Sequence, residues 1–252
     1  NFLHRHTTAL LKRTGVLSKT GRCQTLDERA DGYQRSEGCV GLLIKECSHP
    51  SEMYAEILAC ASNQDGKTAN LHAPNPQSQE FLLRRTWEQA KTTKPAFIEL
   101  HRTGTKLGDP IEIAAVQAVF GRDVLVTSAK SQFGHLESAA GMVGLIRSLL
   151  CLEHQQIPAN PFLKEKNPLL PHVCCPEKDS IPLSKTASAG VSSFGFGGSN
   201  SHAVIYRTPD HRSTLTYRVS SEKCPKEFIP WRMRYHERGW KSRDPLIGTF
   251  EE

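Results

Sequence analysis

The sequence has no long apolar run. Its longest uncharged stretches carry too many polar residues and glycines to span a bilayer, and no cleavable apolar leader opens the chain. Of its 252 residues, 38% are hydrophobic, and the mean hydropathy is −0.44. These features predict a globular protein without a membrane span, located in the cytoplasm.

The sequence also lacks a cysteine framework. Its eight cysteines stand singly apart from the pair Cys174 and Cys175, so we expect reduced thiols rather than disulfide bonds. His172 lies beside that pair, but adjacent cysteines rarely bind one tetrahedral ion, and no second pair at ligand spacing follows. We therefore expect no metal site.

A concentrated basic block is missing as well. The net charge of +6 comes from 32 Lys and Arg against 26 Asp and Glu, and the excess is dispersed. Dispersed charge is typical of a solvated face, so nucleic acid is not an expected partner. Residues 207–252 are basic, include Trp231 and Trp240, and lack periodicity, so we expect an irregular tail. A protein or nucleic-acid binder acting through this tail is the least favoured hypothesis.

Strand and helix patterns alternate along the chain. The predicted strands are 39–44, 56–60, 96–100, 124–127 and 203–206, and the predicted helices are 79–90, 110–120 and 136–153. Turns or irregular chain are expected at 63–66, 128–135, 158–189 and 190–200. This order indicates an α/β layered domain. At the start of the second helix, Asp109 is predicted as the N-cap, Pro110 as the first helical residue and Glu112 as the partner in a capping box.

Two histidines follow predicted strands directly or closely. His101 opens the segment His-Arg-Thr-Gly-Thr, and His135 closes the segment that begins at Lys130. Because ligands bind at the carboxyl ends of strands in α/β sheets, we expect both histidines at a site. Two imidazoles and an ammonium would stabilise a developing oxyanion. The alternative is that each histidine is only a polar residue at the end of an element.

A glycine-rich segment, residues 193–202, leads into the last strand. Its glycines permit a close approach of backbone to ligand, although a structural turn explains them equally well. It is not a dinucleotide motif, because Asn200 stands at the third glycine position and a strand follows. Residues 61–68 nearly match a phosphate-binding loop, but the first glycine is missing and Asp65 would repel phosphate.

Taken together, these motifs resemble the C-terminal half of a β-ketoacyl synthase, and especially the ketosynthase domain of modular type I polyketide synthases and fatty-acid synthases. The motifs that carry this resemblance occur in the family's order at residues 15–18, 21–23, 30–38, 63–66, 73–75, 101–105, 108–112, 130–141 and 195–198. The resemblance covers residues 1 to about 206.

The resemblance implies a thiolase-like α/β fold in alternating layers. Residues 1–62 would end the N-terminal half, residues 63–206 would form the C-terminal half, and residues 207–252 would be the tail. The chain would form a homodimer or pair with a missing N-terminal half. Its substrates would arrive on the phosphopantetheine arm of an acyl carrier protein, with no cofactor bound directly.

The resemblance also implies roles for individual residues. His101 and His135 would hydrogen-bond the oxygen of the malonyl thioester during decarboxylation. Lys130 would tune the local electrostatic field and hold the geometry near His135, with Glu137 as its supporting partner. Thr103 and Thr105 would contact the phosphopantetheine arm. The acyl channel would be gated by a loop whose residues are Phe196, Gly197 and Gly198, with Phe196 as the moving side chain.

The sequence departs from the family at three points, one of which is a shortened, unusual stretch between Lys45 and Glu56. No cysteine stands in the Asp-Thr-Ala-Cys-Ser-Ser context of the family nucleophile, which we expect upstream of Asn1. Arg102 replaces a family glycine, and it would narrow the pantetheine tunnel or change the backbone. Two hypotheses follow: a ketosynthase fragment that catalyses decarboxylating Claisen condensation, or a non-catalytic truncated ketosynthase that binds a carrier protein or another protein as its partner.

Overall fold

A computed structural model describes residues 3–68, 73–92, 94–105, 108–170 and 172–211 of the chain. The helices are α1 Arg5–Arg13, α2 Pro76–Gln89, α3 Gly108–Phe120, α4 Lys130–Phe133 and α5 Ala140–Glu153. Two short 3-10 helices lie at Pro50–Glu52 and Glu137–Ala139. The strands are β1 Glu56–Gln64, β2 Phe97–Glu99, β3 Val126–Thr127, β4 Gln156–Ile157, β5 Ile181–Pro182, β6 Ala187–Phe194 and β7 Ser199–Arg207.

Five strands form one mixed sheet in the order β1-β7-β6-β2-β3. β7 pairs antiparallel with both β1 and β6, whereas β2 pairs parallel with both β6 and β3. Strands β4 and β5 form a separate antiparallel pair. The α/β class predicted from the sequence is therefore confirmed.

Apolar cores cover both faces of the sheet, and successive residues of one strand belong to different cores. Ile98 and Val204 belong to one core, which contains the buried face of α2 and α3. Phe97 and Ile205, their neighbours in sequence, belong to the other core, against α5. Adjacent strand residues point to opposite faces, so a strand that is apolar at every position is buried on both sides.

Helix α2 shows how local sequence sets an element. The Asn75 side chain accepts hydrogen bonds from the N–H groups of Gln77 and Ser78, and Pro76 occupies the first turn. At the other end of the helix, the Trp87 indole N–H donates to Nε2 of His202 at 3.0 Å. Nδ1 of His202 lies 3.0 Å from the Ser192 hydroxyl, so the ring is neutral and donates to that oxygen. This buried network fixes α2 on the sheet.

Several sequence-based predictions are wrong in detail. Residues 39–44 form no strand, and Leu43 and Ile44 are 91% and 70% exposed. An apolar run becomes a strand only where it finds a pairing partner, and no described strand pairs with it. The predicted turn at 63–66 begins inside β1, which also contains the start of the phosphate-loop near match.

The glycine-rich segment and the irregular region are shorter than predicted. β6 starts at Ala187 and runs through Phe194, so only the turn at 195–198 separates it from β7. The predicted loop 128–135 contains the four-residue helix α4. No helix among the described residues is long and apolar enough to cross a membrane. The domain boundaries remain predictions, and residues 212–252 of the predicted tail lie outside the described residues.

Candidate active site

His101 and His135 meet at one edge of the sheet. His101 follows β2 and His135 follows β3, and these two strands are parallel neighbours. The ring centroids lie 5.4 Å apart, with the ring planes at 80°. The fold thus brings together the two histidines that the sequence places at the ends of strands.

The backbone and ring of His135 are both fixed by hydrogen bonds. Its N–H donates to the Gln34 carbonyl at 2.7 Å, and its carbonyl accepts from the Ser36 N–H at 2.9 Å. The Glu137 N–H donates to Nδ1 of His135 at 2.9 Å. Since Nδ1 is an acceptor, the neutral ring carries its proton on Nε2. The ring therefore presents an N–H donor on the side away from Glu137.

Both imidazoles are held in the neutral form. Burial, together with the positive charges of Lys130 and Arg35, lowers the pKa of His135 to about 3. Burial also brings the pKa of His101 well below its ordinary value, helped by Lys130 and His135. Among the described residues, Nδ1 of His101 is buried and makes no hydrogen bond. Two neutral donors near a buried cation suit an oxyanion that forms during a reaction.

Lys130 is buried at the first position of α4, and burial lowers its pKa. The negative charges of Glu99 and Glu112 oppose that shift. Glu137 is not its partner, because the Glu137 carboxylate pairs with Nε of Arg35 at 2.7 Å. The structure therefore corrects the expectation that Glu137 supports Lys130.

Glu99, which the sequence analysis missed, supports the segment that carries Lys130. One carboxylate oxygen accepts the Ala129 N–H at 2.5 Å, and the other pairs with Nη1 of Arg147 on α5 at 2.9 Å. α5 can approach this closely because it has Gly144 here, where an added Cβ would lie 3.2 Å from Cγ of Glu99. The sequence gives no local signal of this supporting role, because Arg147 lies 48 residues after Glu99.

The segment after His101 is tied to α3. Glu112 accepts the N–H groups of His101 and Arg102, and Asp109 accepts the N–H of Gly104 at 3.2 Å. α3 begins at Gly108, so the prediction of an Asp109 N-cap with a Glu112 capping box is wrong. Both carboxylates turn toward the preceding loop rather than toward the first turn of their own helix.

Arg102 is buried rather than exposed beside His101. Its side chain is directed into the protein, where Nη2 lies 3.2 Å from Oδ2 of Asp109. The backbone carbonyl of Arg102 accepts a hydrogen bond from the Ser128 hydroxyl at 3.3 Å. Arg102 therefore contacts both α3 and the segment that leads to Lys130.

The remaining predicted site residues lie on two loops. Thr103 is partly buried, and Thr105 accepts the Gly108 N–H through its hydroxyl at 3.3 Å. In the turn of the β6–β7 hairpin, the carbonyl of Gly198 accepts the Asp65 N–H and that of Gly197 accepts the Gln64 side-chain amide.

Two aromatic residues lie beside the histidines, Tyr33 and Phe194. The Tyr33 ring centroid lies 5.0 Å from that of His135. Phe194 lies beside His101. Its ring centroid lies 5.9 Å from that of His101. Phe196, the residue that the resemblance implies as the gate, is 49% exposed on the hairpin turn. The sequence did place Phe194 in the glycine-rich segment 193–202, directly before Gly195, but the strand that carries it is seen only in the structure.

Cys23 lies beside the histidines but is a buried thiol. The Gln34 N–H donates to its sulfur at 3.2 Å, and burial raises its pKa to about 11. It is therefore protonated near neutral pH and is a poor nucleophile. Within the described part of the chain, His172, Cys174 and Cys175 join no group of three or more ligands that could hold a metal ion.

Comparison with known proteins agrees with this geometry. The family model "Beta-ketoacyl synthase, N-terminal domain" matches residues 2–49, and "Beta-ketoacyl synthase, C-terminal domain" matches residues 54–164. The chain belongs to the β-ketoacyl synthase family. The boundary between the two matched regions falls just before β1.

Relatives of this ketosynthase chain are polyketide synthases. It is 40% identical over 211 residues to the highly reducing polyketide synthase lcsB of Purpureocillium lilacinum, covering 79% of this chain and 8% of that protein. It is 38% identical over 211 residues to the highly reducing polyketide synthase g433 of a Fusarium species, covering 79% of this chain and 8% of that protein. The chain thus spans less than a tenth of these relatives.

Solved ketosynthases share its fold. The oxazolomycin ketosynthase domain OzmH KS7 of Streptomyces albus superimposes with a TM-score of 0.78 and 31% identity, over 82% of this chain and 41% of that one. The fold is therefore the thiolase-like fold of ketosynthase domains, and the ketosynthase assignment made from sequence motifs is confirmed.

Proposed function

We propose that this chain supplies the histidine and lysine half of a ketosynthase active site, which decarboxylates a malonyl thioester and directs the product into Claisen condensation. The observation that carries the proposal is the pair of neutral, partly buried imidazoles 5.4 Å apart after two parallel strands. The identity of the relatives as polyketide synthases supports it.

In this reaction, His101 and His135 would stabilise an oxyanion. When the bond between the malonyl carboxylate and Cα breaks, carbon dioxide leaves and the electron pair forms an enolate. Its oxygen would accept the N–H of His135 Nε2, and His101 would donate to the same oxygen. Such donors help most when the charge exists only in the transition state. The enolate carbon then attacks the carbonyl carbon of an acyl thioester, and the C–S bond breaks as the thiolate leaves; without an acyl thioester, the enolate takes a proton from water.

The substrate would arrive on the phosphopantetheine arm of an acyl carrier protein. We propose that Thr103 and Thr105, on the loop after His101, contact that arm, and that Phe196, Gly197 and Gly198 border the acyl channel. The nucleophilic cysteine would come from the N-terminal half of the domain, and the complete enzyme would be a homodimer. No metal or directly bound cofactor enters this scheme.

The test is a decarboxylation assay with malonyl-carrier protein and the purified 252-residue chain. We expect carbon dioxide release that falls by roughly a hundredfold in each of the variants His101→Ala and His135→Ala. The matched control is His172→Ala, which changes an exposed histidine and should leave the rate unchanged.

Two other outcomes would contradict the proposal. Full release by His135→Ala would refute its role. No release from a folded wild-type chain would instead favour a non-catalytic protein that binds a carrier protein or another partner.

A further inference from the structure

The Glu112 carboxylate bridges two successive backbone groups at the site. Oε1 accepts the His101 N–H at 2.7 Å, and Oε2 accepts the Arg102 N–H at 2.9 Å. Glu112 lies in the first half of α3 and is 3% exposed. Both carboxylate oxygens are thus used on the residue that carries the imidazole and on the next one.

The surrounding charges favour this arrangement. Asp109, on the same helix, accepts the Gly104 N–H and pairs with the Arg102 guanidinium. Glu112 and Asp109 together therefore hold the loop at three backbone N–H groups. Lys130 and Arg102 provide positive charge near Glu112. Burial raises the pKa of Glu112 to about 7, while the two N–H donors and Arg102 oppose that rise. The bridge is strongest when Glu112 is ionised, because both oxygens then accept charge-assisted hydrogen bonds, whereas a proton on either oxygen weakens that oxygen as an acceptor.

The bridge determines where the His101 ring can lie. β2 ends at Glu99, so the backbone of His101 is outside the sheet ladder and its N–H needs another acceptor. His101 Nδ1 makes no hydrogen bond with any described residue, so the ring is not oriented from that atom. The position of the ring therefore depends on the backbone that Glu112 holds and on packing against Phe194.

We propose that Glu112 is the positioning residue of His101, holding its ring beside His135 through the two backbone hydrogen bonds. This inference rests on the proposed function for its effect on rate, but its structural effect can be measured without the reaction. A change that removes one acceptor should move the ring and slow chemistry. Placement errors of about 1 Å cost roughly a hundredfold in rate.

The test variant is Glu112→Gln in the full chain, with Glu88→Gln as its matched control on the exposed side of α2. Glutamine keeps the length of the side chain but offers one acceptor and one donor group. We expect amide exchange at His101 or Arg102 to become about tenfold faster. The nuclear Overhauser contact between the rings of His101 and His135 should weaken, and kcat should fall by at least roughly tenfold with KM unchanged. The control should change none of these.

The outcomes separate this inference from the proposed function. Unprotected amides at both positions in the wild type, or an unchanged ring contact in the variant, would overturn the positioning role whatever the activity. A wild-type chain with protected amides and no carbon dioxide release would contradict the proposed function alone. If Glu112→Gln does not fold, Glu112→Asp keeps the charge, shortens the reach by one methylene, and should weaken the same ring contact.

Discussion

Acidification should leave His135 neutral long after an ordinary histidine has taken up a proton. Its Nδ1 accepts the Glu137 N–H, so a proton there would face another donor. With a pKa of about 3, the ring would be about 1% protonated at pH 5, against about 97% for the ordinary value of 6.5. The neutral ring should therefore persist throughout the range in which the enzyme would work.

The same shift predicts how much stability the site loses in acid. The pKa is lowered in the folded state, so the unfolded chain binds the proton first, between pH 6.5 and about 3. The contribution to stability is present above pH 6.5 and falls as the pH drops. Relative to neutral pH, His135 should make the folded state about 2 kcal/mol less stable at about pH 5.

The measurement is a titration of the chain labelled with ¹⁵N-histidine, with His135→Ala to assign the signal. In the folded protein we expect unprotonated Nδ1, protonated Nε2 and no midpoint above about pH 5. The urea-unfolded chain is the control, and it should titrate near about pH 6.5. A midpoint above that limit, or a proton on Nδ1 at neutral pH, would refute the reasoning from the Glu137 contact and burial.

Three further predictions concern the structure around the site. Burial lowers the pKa of His202 to about 3, so the free energy of unfolding should fall by about 2 kcal/mol between neutral pH and about pH 5. In urea-unfolding experiments, His202→Asn should make stability depend less on pH over that range. An equal pH dependence in both proteins would count against this prediction. Arg102→Met should lower the free energy of unfolding by about 3–5 kcal/mol, because it leaves the Asp109 carboxylate buried without a cation. As a control in the same experiment, Arg84→Met, which breaks an exposed ion pair with Glu80, should cost about 0–1 kcal/mol. Gly104→Ala should lower the melting temperature and weaken malonyl-carrier-protein binding, because Gly104 has φ +81° and the new Cβ would lie 2.9 Å from a backbone nitrogen; unchanged binding would argue against a role of this loop in holding the substrate arm.

The order of elements could be read from the sequence because it depends on near neighbours. The apolar periodicity of α2, with Leu83 and Trp87 one turn apart, is a local property, and so is the strand that precedes His101. Even the meeting of His101 and His135 was predictable. Parallel strands place their carboxyl ends at one edge, so the two loops that follow must be close.

The predictions failed where an outcome depended on distant residues. Residues 39–44 are apolar enough for a strand, but a strand also needs a partner, which the sequence does not specify. Glu112 has the spacing of a capping box, yet its carboxylate is used by the backbone of the loop eleven residues earlier.

By itself, the sequence determined the α/β class, the family and the loops that carry His101, Lys130 and His135. Only the tertiary structure decided their chemistry. Arg35 and Glu137 are 102 residues apart, and their ion pair occupies the carboxylate expected beside Lys130. Burial, which exists only in the folded chain, keeps both imidazoles neutral. Contacts between distant residues fix the charge and orientation of groups whose identity the sequence already shows.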